Sequence, residues 1–281
     1  MLRTLILPAL ASLFGAIAAP SPVPAADGAP VPNFSGPDFG WDGDGENEFT
    51  PPKSGPGPVT SDPAHPYVSN FAARRTGAQP NWRIADLSNP NLKPWVKAAL
   101  KKANDEAGTG KAMFTRESRC WATGVPAMLL NPIRMYFVQT PKEVLILQQA
   151  DHRVRHIYLD QGHSADPKPS WYGESVGHYE GGDTLVVDTI GMNDKSFVDS
   201  YRTPHTSRIH VVERFRLIDG GKALEVNFTV DDPGAFNAPW SASKRWKRVR
   251  GTLEEDVCAE NNENYFNYDV EPMPHADKPD F

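Results

Sequence analysis

Cysteine is scarce: the 281-residue chain has only Cys120 and Cys258, and neither belongs to a Cys-x-x-Cys or Cys-His pair. A thiol nucleophile is therefore disfavoured. Basic residues are also in short supply. Lys and Arg number 29 against 35 Asp and Glu, a net charge of -6, without the cationic excess that a phosphate backbone demands. Nucleic acid is thereby set aside as a partner. Beyond the first 20 residues no stretch approaches 18 consecutive apolar residues, so no later segment reads as membrane-spanning. Several motifs are missing too. Gly177, Gly181 and Gly182 do not form Gly-x-Gly-x-x-Gly and no βαβ pattern surrounds them, which argues against NAD and ATP. Ser175 follows Glu174 directly and so does not sit in Gly-x-Ser-x-Gly, the nucleophile elbow.

Proline, by contrast, is abundant: 27 residues, 12 of them between Ser21 and Pro80. Met1-Leu2-Arg3 precedes a 15-residue apolar run from Leu5 to Ala19 with Ala-Ala pairs at 18–19 and 25–26. These are the parts of a cleavable signal peptide, and the run is short of the roughly 20 residues that span a bilayer. We expect residues 1–26 to be removed and the mature protein to be periplasmic or secreted, with no membrane attachment. In an oxidising compartment the two cysteines suggest one disulfide, Cys120 to Cys258, worth about 3–5 kcal/mol in the chain-entropy model. Residues 27–80 read as an irregular arm whose few aromatics, among them Phe34, Phe39, Trp41 and Phe49, dock on a main domain. That domain is expected over 81–264, with an irregular tail over 265–281.

Leu92, Trp95, Val96, Ala99, Leu100 and Ala103 recur at helical spacing, with Pro94 in the first turn and Gly108 at the end. The rest of the domain alternates like strands. Met135–Gln139, Glu143–Gln149, Val154–Leu159, Thr184–Ile190, Ile209–Ile218 and Leu224–Val230 are followed by a pair over Lys244–Val249 and Gly251–Val257. Thr140-Pro141-Lys142 and Asp219-Gly220-Gly221-Lys222 supply hairpin turns. The expected fold is mainly β: an antiparallel barrel or sandwich with one amphipathic helix, a calycin-like barrel enclosing a cavity being favoured.

Residues two apart on a strand share a face, which allows chemistry to be sought by parity. Glu213 has the parity of Ile209, Val211, Phe215 and Leu217. A carboxylate among apolar side chains is either paired, with Arg155 or Arg245 as candidates, or a tuned acid or base. His156 shares parity with Val154 and Tyr158, and we expect it to face inward. Histidines concentrate at 152, 156, 163, 178, 205 and 210 without a His-x-x-x-His or His-Glu-x-x-His pair, so no metal is expected. Trp171 to Asn193 reads as a cavity mouth. Trp171, Tyr172 and Tyr179 offer flat surfaces there, and Glu174, His178 and Glu180 can move a proton.

The runs QQADHRVRHIYLD, SADPKPSWYGESVGHYEGGDTLVVDTIGMNDKSFVD, YRTPHTSRIHVVERFRL, DDPGAFNAPWSA and VCAENN resemble a large family of exported, mostly uncharacterised bacterial proteins. The resemblance covers roughly residues 92–262 and implies export and one contiguous domain. It carries no catalytic assignment. The residues themselves point to an exported lyase or isomerase acting without a cofactor on a small, largely apolar aromatic or terpenoid molecule. Glu213, His178, His156 and Tyr158 are the candidate catalytic groups. Trp171, Tyr172, Tyr179, Arg155 and His205 are candidate substrate contacts; Arg214 is a weaker anion anchor, its parity being opposite to that of Glu213. The alternative is a lipocalin-like protein that binds a hydrophobic small molecule without turnover, and a third reading makes the proline-rich arm an interaction module.

Overall fold

In the strand Arg153–Leu159 the residues Arg155, Ile157 and Leu159 are buried while Val154, His156 and Tyr158 are exposed. The same period of two runs through most of the strands and curls them around one core. A computed structural model describes residues 31–43, 45–109, 120–131, 133–150 and 153–257. The expected signal peptide, the tail, His152 and Cys258 lie outside the described residues, and with Cys258 the expected disulfide. Nine strands form a closed barrel in sequence order: β1 (Phe39–Asp42), β2 (Met135–Gln139), β3 (Glu143–Gln148), β4 (Arg153–Leu159), β5 (Glu174–Glu180), β6 (Thr184–Ile190), β7 (His210–Ile218), β8 (Ala223–Asp231) and β9 (Trp240–Arg250). Among the described residues two α-helices accompany it, α1 (Asn70–Thr76) and α2 (Pro94–Gly108).

The barrel differs from the purely antiparallel one expected. Every neighbouring pair is antiparallel except β4 and β5, which run parallel with Ile157 opposite Ser175 and Leu159 opposite Gly177. Strand parity demands this: nine strands in a ring cannot all alternate in direction. The parallel step needs a crossover, which residues 160–173 supply in place of a hairpin. That long connection carries His163 and Trp171.

Closure comes from the proline-rich arm. Residues 39–42 form β1, which pairs with β9 (Phe39 opposite Arg250) and with β2 (Trp41 opposite Met135), so the barrel begins well before residue 81. Phe34 is fully buried against Phe137, ring centroids 5.5 Å apart. Its backbone N–H donates to Gln139 Oε1 at 2.7 Å and its carbonyl accepts from Trp41 Nε1 at 2.9 Å. The arm thereby satisfies its own backbone groups as it plugs one end of the barrel. α1, which the proline-rich composition concealed, is capped by the Ser69 hydroxyl on the Ala72 N–H.

α2 buries a narrower face than expected: Val96, Leu100 and Ala107 are covered, whereas Trp95 and Ala99 are exposed. Trp95 still donates its indole N–H to the Gly234 carbonyl at 2.8 Å. The β7–β8 turn uses the glycines as expected, with Gly220 and Gly221 at φ 64° and 81°. β9 is one 11-residue strand over 240–250, and 251–257 form no strand. Because Phe34 seals the barrel with both backbone and side chain, Phe34→Ala should cost about 3–5 kcal/mol. Urea unfolding measures this, and a loss under about 1 kcal/mol would show that the arm is not integral.

Candidate functional site

An ion pair lies fully buried in the interior. Arg155 on β4 and Glu213 on β7 are 1% and 0% exposed, confirming the inward parity of Glu213. The Arg155 Nη1 donates to Glu213 Oε1 at 3.0 Å, and Nη2 pairs with Oε2. Nη2 also donates to Thr189 Oγ1 at 2.9 Å, Nε to Ser175 Oγ at 3.2 Å, and Nη1 reaches Met128 Sδ at 3.6 Å. Strands β4 to β7 each contribute one side chain to this belt, and both oxygens of the carboxylate are occupied by the guanidinium fork. Trp41, Ile146, Ile157, Leu185, Val187, Phe215, Phe228, Trp240 and Trp246 fill the rest of the core. Glu213 thus meets the partner proposed for a structural charge, Arg155. Arg245 lies on the surface with Asp219 and Glu225.

The other expected catalytic groups are on the opposite side of the wall. His156 is outward, not inward: its side chain is 51% exposed and its Nδ1 lies 2.5 Å from Glu143 Oε1. The reason is Arg155, whose pairing with Glu213 sets the parity of β4 against that of Val154 and Tyr158. Tyr158 is exposed beside His156, their rings 6.1 Å apart. His178, 55% exposed, contacts Glu180, which Arg214 holds at 2.6 Å. No single site unites these three residues with Glu213.

The expected substrate contacts scatter as well. Tyr179 points inward at the arm-plugged end, where its hydroxyl accepts from Gln139 Nε2 at 2.8 Å; burial raises its pKa. Trp171 packs against Trp121, and Tyr172 against the core. His205 is buried with Ser196, whose hydroxyl is 2.8 Å from Nε2, while Nδ1 faces the Thr206 carbonyl at 3.0 Å. This resembles a nucleophile and its base. Gly124 closes over it, however: a Cβ there would come within 2.4 Å of Ser196 Oγ, so in this state the pair fastens two loops together.

Four residues that parity alone did not unite do form a cluster. His163, on the crossover, lies between two carboxylates: Nδ1 is 3.0 Å from Glu174 Oε1 and Nε2 is 2.8 Å from Asp188 Oδ1. His210, at the start of β7, directs its Nε2 at the same Asp188, 2.9 Å from Oδ1 and 3.0 Å from Oδ2. Glu174 is fixed by the Ser164 hydroxyl at 2.6 Å and backbone N–H at 2.7 Å, which hold its pKa below the usual value. Partial burial works against ionisation of Asp188, but hydrogen bonds from His163 and His210 outweigh it and lower its pKa. All four side chains are partly exposed. Glu174, Asp188 and His210 occupy outward positions of β5, β6 and β7, a signal available in the strand alternation. The position of His163 depends on the path of the crossover, which alternation does not report. Among the described residues no group of three or more His, Cys, Asp or Glu side chains is arranged to hold a metal ion, and no helix is long and apolar enough to cross a membrane. No protein-family model, curated protein or solved structure matches the chain, so the functional reading rests on this geometry.

Two predictions concern buried charge. Glu213→Gln leaves the Arg155 cation uncompensated and should cost about 3–5 kcal/mol, whereas Arg155→Met with Glu213→Leu should recover most of that loss. Chemical denaturation of the three proteins checks this; a Glu213→Gln protein as stable as wild type would contradict it. Asp199 is buried in the β6–β7 loop, where it accepts from the Tyr201 N–H at 2.9 Å and from the Thr203 N–H and hydroxyl at 3.1 and 2.6 Å. Burial nevertheless pushes its pKa up to about 6 from an ordinary 3.8. The folded state then binds this proton more tightly than the unfolded chain. Its stabilising contribution is full below about pH 4 and is lost as pH rises to about 6, a change of up to about 3 kcal/mol. Stability of wild type relative to Asp199→Asn should therefore fall across that window, and a flat difference would refute the shift.

Proposed function

We propose that the protein is an exported acid/base enzyme, a lyase or isomerase, that moves a proton on a small, largely apolar organic molecule without a cofactor. Its chemistry belongs to the outer-face cluster of His163, Glu174, Asp188 and His210 and not to Glu213. The observation that carries this reading is Asp188 accepting from two imidazoles at once. In the neutral ring of His210, Nε2–H donates to Asp188 and the Nδ1 lone pair faces away from it. This is a base whose imidazolium a carboxylate stabilises, the arrangement that general-base histidines share. His163 is held at both nitrogens and has no N–H free for substrate, so it positions Glu174 and Asp188 beside His210, and the proton that His210 takes is the one it gives back.

The reaction balances within the substrate. His210 Nδ1 takes a proton from carbon, the electron pair delocalises toward an adjacent carbonyl, and a proton returns to another carbon or a leaving group departs. Trp171 and Tyr172, on the same connection as His163, supply apolar surface near the start of β5. The N-terminal apolar run supports export, and the paired cysteine count supports a Cys120–Cys258 bridge in an oxidising compartment. A lumen-bound apolar ligand, as in a lipocalin-like carrier, has less support because the Arg155–Glu213 pair and its hydroxyl partners lie in the interior.

Mass spectrometry of the purified protein incubated with aromatic dimers, terpenoids and lactones should reveal a product formed without added cofactor. His210→Gln should lower the rate at least about 100-fold, with a melting temperature within a few degrees of wild type. Lys102→Gln, on the solvent side of α2, should leave the rate unchanged. A product whose formation survives His210→Gln but is lost in His178→Gln would move the chemistry to the Glu180 pair and overturn this assignment.

A further inference from the structure

At the opposite end of the barrel from His210, where β7 turns into β8 and β9 finishes, a cleft of about 420 Å³ is lined by Asp38, Phe39, Lys222, Arg248, Val249 and Arg250. We propose that it binds a small aromatic carboxylate. The site is distinct from the acid/base cluster, and the argument for it does not depend on the function proposed above.

The argument begins with strand parity. Trp240, Ala242, Lys244 and Trp246 alternate inward along β9, and Arg248 and Arg250 continue that parity past the last layer of the core. They therefore reach the mouth of the barrel instead of its outer wall. Lys222 is brought beside them by the β7–β8 turn, its carbonyl accepting from the Arg248 backbone N–H at 2.9 Å. Among the described residues no carboxylate lies within ion-pair distance of Lys222, Arg248 or Arg250, although the chain carries a net charge of -6 and most other barrel arginines, such as Arg155, Arg214, Arg216 and Arg245, are paired. Three like charges sharing one cleft repel one another, and an anion seated among them reverses the sign of that interaction.

The chemistry of the lining specifies the anion. The Arg248 guanidinium is stacked on the Phe39 ring at 3.5 Å, which pins it in place and leaves its other face and its N–H edge open. A planar ring can stack on that face while a carboxylate meets the forked donors of Arg248 and Arg250. Val249 provides apolar surface for the body of the ligand, and Asp38 in the lining disfavours multiply charged anions such as phosphate. The cleft volume suits a small organic molecule.

Isothermal titration calorimetry of the full-length protein with benzoate, benzamide and inorganic phosphate tests this. Benzoate should bind saturably at one site, with affinity that falls as NaCl is raised from 0.05 to 0.5 M. Benzamide should bind at least about tenfold more weakly. Arg248→Gln and Arg250→Gln should each weaken benzoate at least about tenfold, Lys222→Gln about threefold, and Arg248→Lys partly, because the charge remains and the stacking fork is lost. Lys102→Gln should bind as wild type. Circular dichroism melting of each variant, expected within a few degrees of wild type, separates lost binding from lost folding. Absence of saturable benzoate binding, binding unaffected by both arginine substitutions, or phosphate binding as tight as benzoate would overturn the proposal.

Discussion

The buried fork between Arg155 and Glu213 is the constraint on which the rest of the barrel depends. An unpaired charge in that interior would cost several kcal/mol, so the two strands that carry the pair must present these residues to the axis and to each other. Satisfying the remaining guanidinium protons then recruits Ser175 and Thr189 from the two intervening strands. Four strands are locked in register by one cation. With Arg155 facing inward, His156 and Tyr158 must face solvent, and with Glu213 inward, His210 and Arg214 must face solvent too. The surface chemistry is thus the complement of the interior electrostatics.

Strand count supplies the second constraint. Nine strands in a ring oblige one parallel step, and the crossover that makes it lays His163 against the outer wall at Glu174 and Asp188. A tight hairpin at that place could not carry a side chain across the strand ends. The one parallel step in the barrel's topology is therefore what brings His163 to Glu174, Asp188 and His210. The arm acts at the other end, where Phe34 and β1 close the ring and Phe39 orients Arg248 above a cationic cleft.

Much of this was legible in the alternation of the chain. The strands β2, β3, β4, β6, β7 and β8, two hairpin turns, the amphipathic helix and the inward position of Glu213 all follow from local periodicity. β5 was hidden because Ser175, Gly177 and His178 carry no apolar alternation: Ser175 turns inward to meet Arg155, and Gly177 is pressed against Ile157. His156 misleads for a related reason: Val154 and Tyr158 are apolar yet exposed, so hydrophobicity assigned β4 the wrong face. β1 and α1 lie in proline- and glycine-rich sequence, where closure of a distant sheet edge outweighs local propensity. The meeting of His163, Asp188 and His210 is a tertiary event, with no fixed sequence spacing to announce it.

Proton transfer at the outer-face cluster is the central claim, and solvent exchange tests it most directly. Substrate recovered after partial turnover in D2O should carry deuterium at the carbon that loses its proton. That wash-in should vanish in Asp188→Asn, where the histidine pair loses its shared carboxylate. Turnover with no deuterium incorporation, or incorporation undiminished in a folded Asp188→Asn protein, would contradict the account.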